Sequence, residues 1–534
     1  MLSHAFRPEV IWAFFHPITK VYNNWRPVGG EFGHLEYVGH VDGYKRFEKN
    51  NLVRNENYAQ WPKHREQDNS KTIFGPAGDP HGEGKPMGKA GAYVGLRKYD
   101  NKVCDITEDF NEVITFVLEN YASRCGVYKM SAVEIEEFLY LADVELCSSS
   151  GYPMNLQYKW KVDVISAVGL PRLILWLDSI NVHDLIAIHV SCQKVELRST
   201  EKDPRQFTAA PFVHWLVGIR YFGRFHKDFL EIGLPSIVGT SPQHHGWQRM
   251  LLKYVKRVVD LDLPDAHFCG DVSKFDSRMS QHFMKREAEY MFSRSGNSEQ
   301  VRWFYNNVIW ALYLMPDGAV FMKEQGNPSG RCNTTDWNTF YNMVIQFYML
   351  RKQGKSWYEC VMWPLLIYSD DFLSAWPFKQ PYTEAWKEHI ESMLRHEVTN
   401  ESLDGGGLPN GSSRLAACQI LSAAWRKYHG VYIPVPINTN KIIASLTYVE
   451  AGVNPCDVAT GLMTLLAGRE DLMQHFCEYL VEVEKVDPSL VALHRLRCIA
   501  LMTCEETPIA GTGGCVLKDI ADNFKTDITL SEDD

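Results

Sequence analysis

The chain has 534 residues, 45% hydrophobic and 12% aromatic, which is enough apolar material for a large buried core and too much for a disordered chain. Its 55 basic and 65 acidic residues leave a net charge of −10, which excludes a surface coated in positive charge but leaves room for a local basic channel. At about 150 residues per domain, the length fits three or four domains or one multi-part enzyme.

Along the chain, Met1-Leu2-Ser3-His4-Ala5-Phe6-Arg7 lacks the basic stretch and apolar run of a secretory leader. Residues 1–74 are rich in aromatics, Asn and charge without a long helical period, and predict an irregular N-terminal lobe. Residues 75–95 carry seven glycines and three prolines and predict a loop. Helical spacing of Phe110, Val113, Ile114, Val117 and Leu118, then of Val133, Ile135, Phe138 and Leu139, predicts two helices within 107–145, with Ser131 and Glu134 spelling a capping box for the second. The most apolar stretch, 165–190, is broken by Pro171, Arg172, Asp178 and Asp184 and predicts no membrane span.

Ser280 precedes a helical pattern over 281–294, and a second helix is predicted over 334–352. The runs 266–270, 319–322 and 363–368 have strand length. Beyond about 430 the pattern is mostly helical (455–467, 472–483, 488–502), and residues 519–534, with six acids against Lys525, read as a frayed tail. Thirteen cysteines stand without a Cys-x-x-Cys pair or zinc spacing, and their odd number suits a reducing compartment. These features predict a soluble intracellular protein.

Within Trp363–Leu373 an apolar run meets Asp370 and Asp371 and then turns apolar again. Two acids at the tip of a hydrophobic hairpin suit a shared cation, although a solvated acidic turn has the same spelling. Asp271 follows another short apolar run, with Asp276 five residues on. Together, Asp271, Asp370 and Asp371 offer the hard oxygen ligands of a two-metal site for in-line phosphoryl transfer. Between them, Gly326-Asn-Pro-Ser329-Gly330 leads into a helix on which Thr334 and Asn338 share a face, suited to hydrogen bonding a ribose or to helix capping. Residues 194–227 hold seven Lys/Arg against Glu196, Glu201 and Asp203, a local balance of +4 suited to a phosphate path.

These segments resemble the RNA-dependent RNA polymerases of positive-strand RNA viruses, in the picornavirus, calicivirus and astrovirus group, with Gly326–Gly330 and Thr334-Thr335 leaning towards astrovirus-like enzymes. Asp271-x4-Asp276 resembles motif A, Ser329-Gly330-x3-Thr334-x3-Asn338 motif B and Tyr368-Ser-Asp-Asp371 motif C, in the family's order. Lys194, Arg198, Lys202 and Arg205 fall in a segment similar to the basic fingertip motif F. Ser149 and Gly151 fall in one similar to the template-channel motif G, and Cys418 in one similar to the primer-gripping motif E. The resemblance covers about 145–446. Two departures stand out: Ser369 replaces the group's usual Gly before the Asp pair, and no Lys lies between Lys387 and Lys427 to act as the motif D proton donor. Arg414, His396 or water are the substitutes on offer, and ordinary surface roles are the plainer reading of the two side chains.

The resemblance implies an α+β right-hand polymerase with an antiparallel palm sheet flanked by helices. It divides the chain into an N-terminal lobe and fingers (1–260, fingertip near 194–205), a palm (261–430, with a fingers insertion near 295–325) and a helical thumb with acidic tail (431–534). It implies Mg²⁺-dependent transfer of nucleoside triphosphates to an RNA 3′-hydroxyl. Asp271, Asp370 and Asp371 would hold two Mg²⁺ ions, with Mn²⁺ as a substitute. Asp276, Ser329, Thr334 and Asn338 would sense the ribose, and Lys194, Arg198, Lys202 and Arg205 would meet the triphosphate. Ser149, Gly151, Gly330 and Cys418 would lie along template and primer. The implied partners are RNA template and primer, nucleotides, a viral protein primer and replication-complex proteins, in the host cytoplasm at membranes reached through those partners. Two alternatives remain at this point. One is a reverse transcriptase, which shares Tyr-x-Asp-Asp but typically uses a bulky gate against the 2′-hydroxyl. The other is a catalytically silent RNA-binding protein on the same fold.

Overall fold

A computed structural model describes residues 21, 24–28, 30–46, 50–67, 74–77, 89–142, 144 and 146–505. The first twenty residues, the middle of the glycine-rich stretch (78–88) and the acidic end beyond 505 lie outside the described residues.

The centre is a four-stranded antiparallel sheet, in the order Leu365–Tyr368, Asp371–Ala375, His267–Ser273, Glu397–Asn400. Helix Thr334–Lys352 packs against it and is buried at every position from Asp336 to Leu350, where the polar side chains of Asp336, Asn338, Asn342 and Gln346 are each held by hydrogen bonds. Its aromatic residues join one core with helices Glu108–Asn120, Phe212–Phe229 and Gln281–Arg294. The ends of these helices follow local chemistry. Ser131 and Glu134 close the predicted capping box, with Ser131 N–H donating to Glu134 Oε2 at 2.7 Å, and the Ser280 side chain caps the helix that begins at Gln281.

A second, five-stranded sheet joins residues far apart in sequence: Glu36–His40, Ala319–Met322, Leu312–Leu314, Ile188–Gln193 and Gln206–Ala209, in that order. It carries the basic 194–205 loop between its last two strands, and the hairpin from 312–322 lies in its middle. Part of the expected glycine loop is instead helix, Lys89–Leu96. There Gly95 serves close packing, since a Cβ would come within 2.6 Å of the Gln206 Cβ.

The C-terminal region contains the expected helices Pro455–Met463, Glu470–Glu482 and Pro488–Thr503. It also contains a strand, Tyr448–Glu450, and is preceded by an unexpected hairpin, Ala423–Tyr428 with Val431–Pro436. Residues from the N-terminal lobe are built into it. Leu52–Arg54 pairs with Tyr448–Glu450, the Tyr58 hydroxyl meets His475 Nε2 at 2.8 Å, and Lys63 Nζ lies 2.8 Å from Glu478 and 2.7 Å from Glu482.

Candidate active site

The hairpin Leu365–Ala375 turns through only Ser369 and Asp370. Antiparallel register sets Asp371 directly opposite Asp271 on the neighbouring strand, and Asp370 in the turn is close enough to act on the Asp271 carboxyl. The turn is clamped from below by the buried helix: Ser369 N–H donates to Thr339 Oγ1 (3.1 Å), and Asn342 Nδ2 donates to the carbonyls of Ser369 (2.9 Å) and Asp370 (3.3 Å). Ser369 adopts φ +56, the left-handed region that favours glycine, which accounts for the preference for Gly in this family position. Gly270 is needed in the same sheet, because a Cβ there would lie 2.8–2.9 Å from the Phe268 and Phe372 rings.

The three carboxylates line a cavity of about 360 Å³ with Arg205, Glu401, Gln419 and Lys441. Burial, then Asp271 and Asp276, pushes Asp370 up to about 7. Burial, then Asp370, Asp271 and Glu401, pushes Asp371 up to about 8. Asp271 is also raised by burial, opposed by Arg205 and Lys202. Carboxylates held this close resist joint ionisation unless a cation shares them. Hard oxygen donors under mutual repulsion fit Mg²⁺, or Mn²⁺, better than any soft metal. Among the described residues no group of three or more His, Cys, Asp or Glu side chains is already arranged to hold a metal ion.

Beside this cavity helix Thr334–Lys352 meets the short helix Phe275–Arg278. Asn338 Nδ2 donates to Asp276 Oδ1 (2.9 Å) and to Ser369 Oγ (3.2 Å), so the two residues predicted to sense a ribose are in contact. Burial raises the Asp276 carboxyl, and the amides of Asn338 and Asn327 counteract that. Ser329 and Thr334 sit next to this pair but bond elsewhere. Ser329 Oγ accepts from Thr208 N–H (3.3 Å), and Thr334 Oγ1 bonds the carbonyls of Ser329 (3.1 Å) and Arg331 (2.9 Å). They therefore shape the loop. Gly330 touches the second sheet so closely that a Cβ would fall 1.6 Å from the Thr208 carbonyl oxygen.

In the basic loop, Glu196 lies among Lys194 (3.5 Å), Arg198 (3.6 Å) and Arg205 (3.6 Å), and Lys194 N–H bonds the Arg205 carbonyl (2.8 Å) at the loop's base. Arg205 lines the carboxylate cavity, and Lys202 is close enough to act on Asp271. Lys194 and Arg198 do not line that cavity.

The remaining expectations fall away from the carboxylates. Ser149 and Gly151 pack near Lys161 and Ala210. Lys161 Nζ donates to the Ser149 carbonyl (3.0 Å), and a Cβ on Gly151, at φ +68, would meet the Ala210 oxygen at 2.1 Å. The Cys418 side chain is buried at 1% exposure against Cys269, so packing removes it from the cavity wall that its neighbours Gln419–Ser422 form. His396 is a core residue rather than a surface one. Tyr341 O–H meets its Nε2 at 3.2 Å, and burial drives its pKa to about 3, which rules out a proton reservoir at neutral pH.

Sequence reading missed Asn327, Asn342, Glu401, Gln419 and Lys441. Asn342 carries a signal, since Thr334, Asn338, Asn342 and Gln346 are polar positions spaced one turn apart along one face of the helix. Glu401 and Lys441 reach the cavity from a loop and a helix that no local pattern links to it.

Comparison with known proteins bears on this arrangement. A family model described as viral RNA-dependent RNA polymerase matches residues 94–484. The genome polyprotein of Blackberry virus Y is 32% identical over 171 residues, 30% of this chain and 5% of that one. That of Plum pox potyvirus is 27% identical over 224 residues, 39% of this chain and 7% of that one. The chain thus spans only about a twentieth of the curated relatives it matches. These relatives lend no weight to the astrovirus leaning. A solved structure titled Sicinivirus 3Dpol RNA dependent RNA polymerase aligns with TM-score 0.63 at 15% identity, over 90% of this chain and all of that one, which shows a shared right-hand polymerase fold. With the family match spanning nearly three quarters of its length, the chain belongs to the viral RNA-dependent RNA polymerase family.

Proposed function

We propose that this chain performs the family's RNA-templated RNA synthesis at the Asp271–Asp370–Asp371 cavity, joining a nucleoside triphosphate to an RNA 3′-hydroxyl with release of pyrophosphate. The observation that carries this reading is the meeting, at one cavity, of three repelling carboxylates and Arg205 of the basic loop, with a carboxylate–amide pair beside it that is tied to the same hairpin turn through Ser369. Asp271, Asp370 and Asp371 would hold Mg²⁺ or Mn²⁺, which when bound activates the hydroxyl and neutralises the triphosphate. Arg205 and Lys202 lie nearest the carboxylates and would meet the triphosphate, with Lys194 and Arg198 further out along its path. Such chemistry depends on positioning and charge neutralisation more than on covalent work by side chains. Asp276 and Asn338 present an acceptor and an amide to a ribose 2′-hydroxyl, the group that separates RNA from DNA precursors. Ser149 and Gly151 would border the template and Gly330 its path over the palm.

The expectations of fingers, palm and thumb at 1–260, 261–430 and 431–534 are kept in this reading, with residues 50–67 bracing the thumb. Initiation either from a protein primer or de novo, and recruitment to cytoplasmic membranes through replication partners, belong to it as well; no helix among the described residues is long and apolar enough to cross a membrane. The test is extension of a self-priming RNA by purified protein, with NTPs or dNTPs and with Mg²⁺ or chelator. Asp370→Asn should lower NTP incorporation by about a thousandfold or more, because a metal-bound carboxylate supplies several kcal/mol of transition-state charge stabilisation. Undiminished incorporation by that variant, or preference for dNTPs, would sink the assignment.

A further inference from the structure

The carboxylate–amide pair has a third member from outside the residues assigned to it. Asn327 is wholly buried in the loop before the central helix. Its Nδ2 donates to Asp276 Oδ1 (3.1 Å) and to Asn338 Oδ1 (3.2 Å), while Asn338 Nδ2 donates to that same Asp276 oxygen. The three side chains form a closed triangle. Its geometry fixes both amides: an oxygen of Asn327 turned towards Asp276 would face a carboxylate, and turned towards Asn338 it would face a carbonyl. With Asn338 Oδ1 occupied by Asn327, Asn338 must aim its N–H bonds at Asp276 and Ser369.

The backbone holds Asn327 there with unusual closeness. Its N–H donates to the Asp276 carbonyl (2.6 Å), and its own carbonyl accepts from the Tyr99 hydroxyl (3.2 Å). The preceding Gly326 has φ +91, bonds the Met279 carbonyl (3.0 Å), and leaves no room for a Cβ, which would lie 2.5 Å from the Ser277 oxygen. The buried Lys323 ammonium donates to the Gly326 carbonyl and to those of Val308 and Ile309, tying this loop to the end of helix Glu299–Ile309. Asn327 Oδ1 is left without a partner although it is buried, so the side chain is not there merely to satisfy its own polar groups.

We propose that Asn327 is a positioning residue for ribose selection: it orients the Asn338 amide so that Asp276 and Asn338 together recognise a 2′-hydroxyl. This rests on the polymerase reading above. A deoxynucleotide lacks the hydroxyl and gains nothing from that orientation, so loss of Asn327 lowers the efficiency of ribonucleotides selectively.

The experiment measures kcat and KM separately for ATP and 2′-deoxy-ATP on a primed RNA template, for wild type, Asn327→Leu, Asn338→Ala and the double variant, with melting temperature as the check on folding. Leucine keeps the buried volume and removes both donors; Asn327→Ala replaces it should the leucine variant not fold. Asn327→Leu is expected to lower the ATP to dATP ratio of kcat/KM by about tenfold, the worth of a hydrogen bond to a charged group, with dATP use nearly unchanged. In the Asn338→Ala background it should add nothing, because its action runs through Asn338. An equal fall for both nucleotides would show a purely structural residue and overturn the proposal, as would full multiplication of the two effects. A wild-type chain that incorporates neither nucleotide would instead overturn the polymerase reading itself, and this inference with it.

Discussion

Ser369 offers a test of how the hairpin that carries Asp370 and Asp371 is held. It occupies φ +56, at a cost of roughly 1–2 kcal/mol for an L-residue without local compensation. Its hydroxyl accepts from Asn338 Nδ2 at 3.2 Å, a bond worth about 0.5–1.5 kcal/mol. The backbone bonds to Thr339 and Asn342 do not depend on the side chain. Ser369→Gly therefore relieves the strain and loses the hydroxyl bond, and the two effects should nearly cancel, leaving single-turnover incorporation within about threefold of wild type. Ser369→Ala keeps the strain and loses the bond, for a slowing of about fivefold. Ser369→Val adds a β-branched side chain to the left-handed turn and should cost about 2 kcal/mol or more, a thirtyfold loss or greater. The assay is rapid-quench addition of one nucleotide to a primed RNA at saturating NTP. A valine variant as fast as wild type would refute the turn geometry. An alanine variant as fast as wild type would remove the Asn338–Ser369 bond from the account.

Two further outcomes follow from packing and charge. Gly330→Ala would drive a Cβ to 1.6 Å from a strand carbonyl oxygen that cannot easily retreat, so incorporation should fall by about a hundredfold. Gly354→Ala, at φ +77 with nothing within 4 Å, should cost about 1 kcal/mol of stability and leave incorporation within about twofold; equal losses in the two would contradict the contact. Arg220, only 3% exposed, pairs through both terminal nitrogens with Asp178 (2.8 and 2.7 Å), and chiefly this guanidinium holds the Asp178 carboxyl at about 2. A folded value below the unfolded one, near 3.9, means that the pair stabilises fully above about pH 4 and progressively less as pH falls towards 2. Asp178→Asn should thus lower the urea midpoint at pH 7, with the gap to wild type narrowing in acid. A gap that stays constant down to pH 3 would exclude the pair as its source.

What could be read from the chain divides along a physical line. That Asp271, Asp370 and Asp371 would share one cavity, and that Asp276 and Asn338 would meet, was legible through the order and spacing of the resembled motifs, with the cost of carboxylates amid apolar strands as a local pointer. Helix Thr334–Lys352 and the Ser131 cap were visible because their determinants are local. The five-stranded sheet was not, apart from its strand Ala319–Met322. Strand Ile188–Gln193 is buried at every position, His189, Ser191 and Gln193 included, so it shows none of the alternation that marks a strand with one wet face, and its neighbours come from residues 206–209 and 312–314. The same limit governs the site. A metal-binding carboxylate announces its chemistry in its own segment, but a residue that orients another is defined only by the partner it meets. Asn327 reads as a turn residue before Pro328 until Asp276 and Asn338, 51 and 11 positions away, close the triangle around it. Cys418 errs in the opposite sense: its position in a recognised segment suggested contact with the primer, whereas the fold turns its thiol inward to Cys269 and leaves Gln419–Ser422 facing the cavity. Motif spacing therefore locates the proposed reacting centre, and only long-range register brings in the groups proposed to aim it.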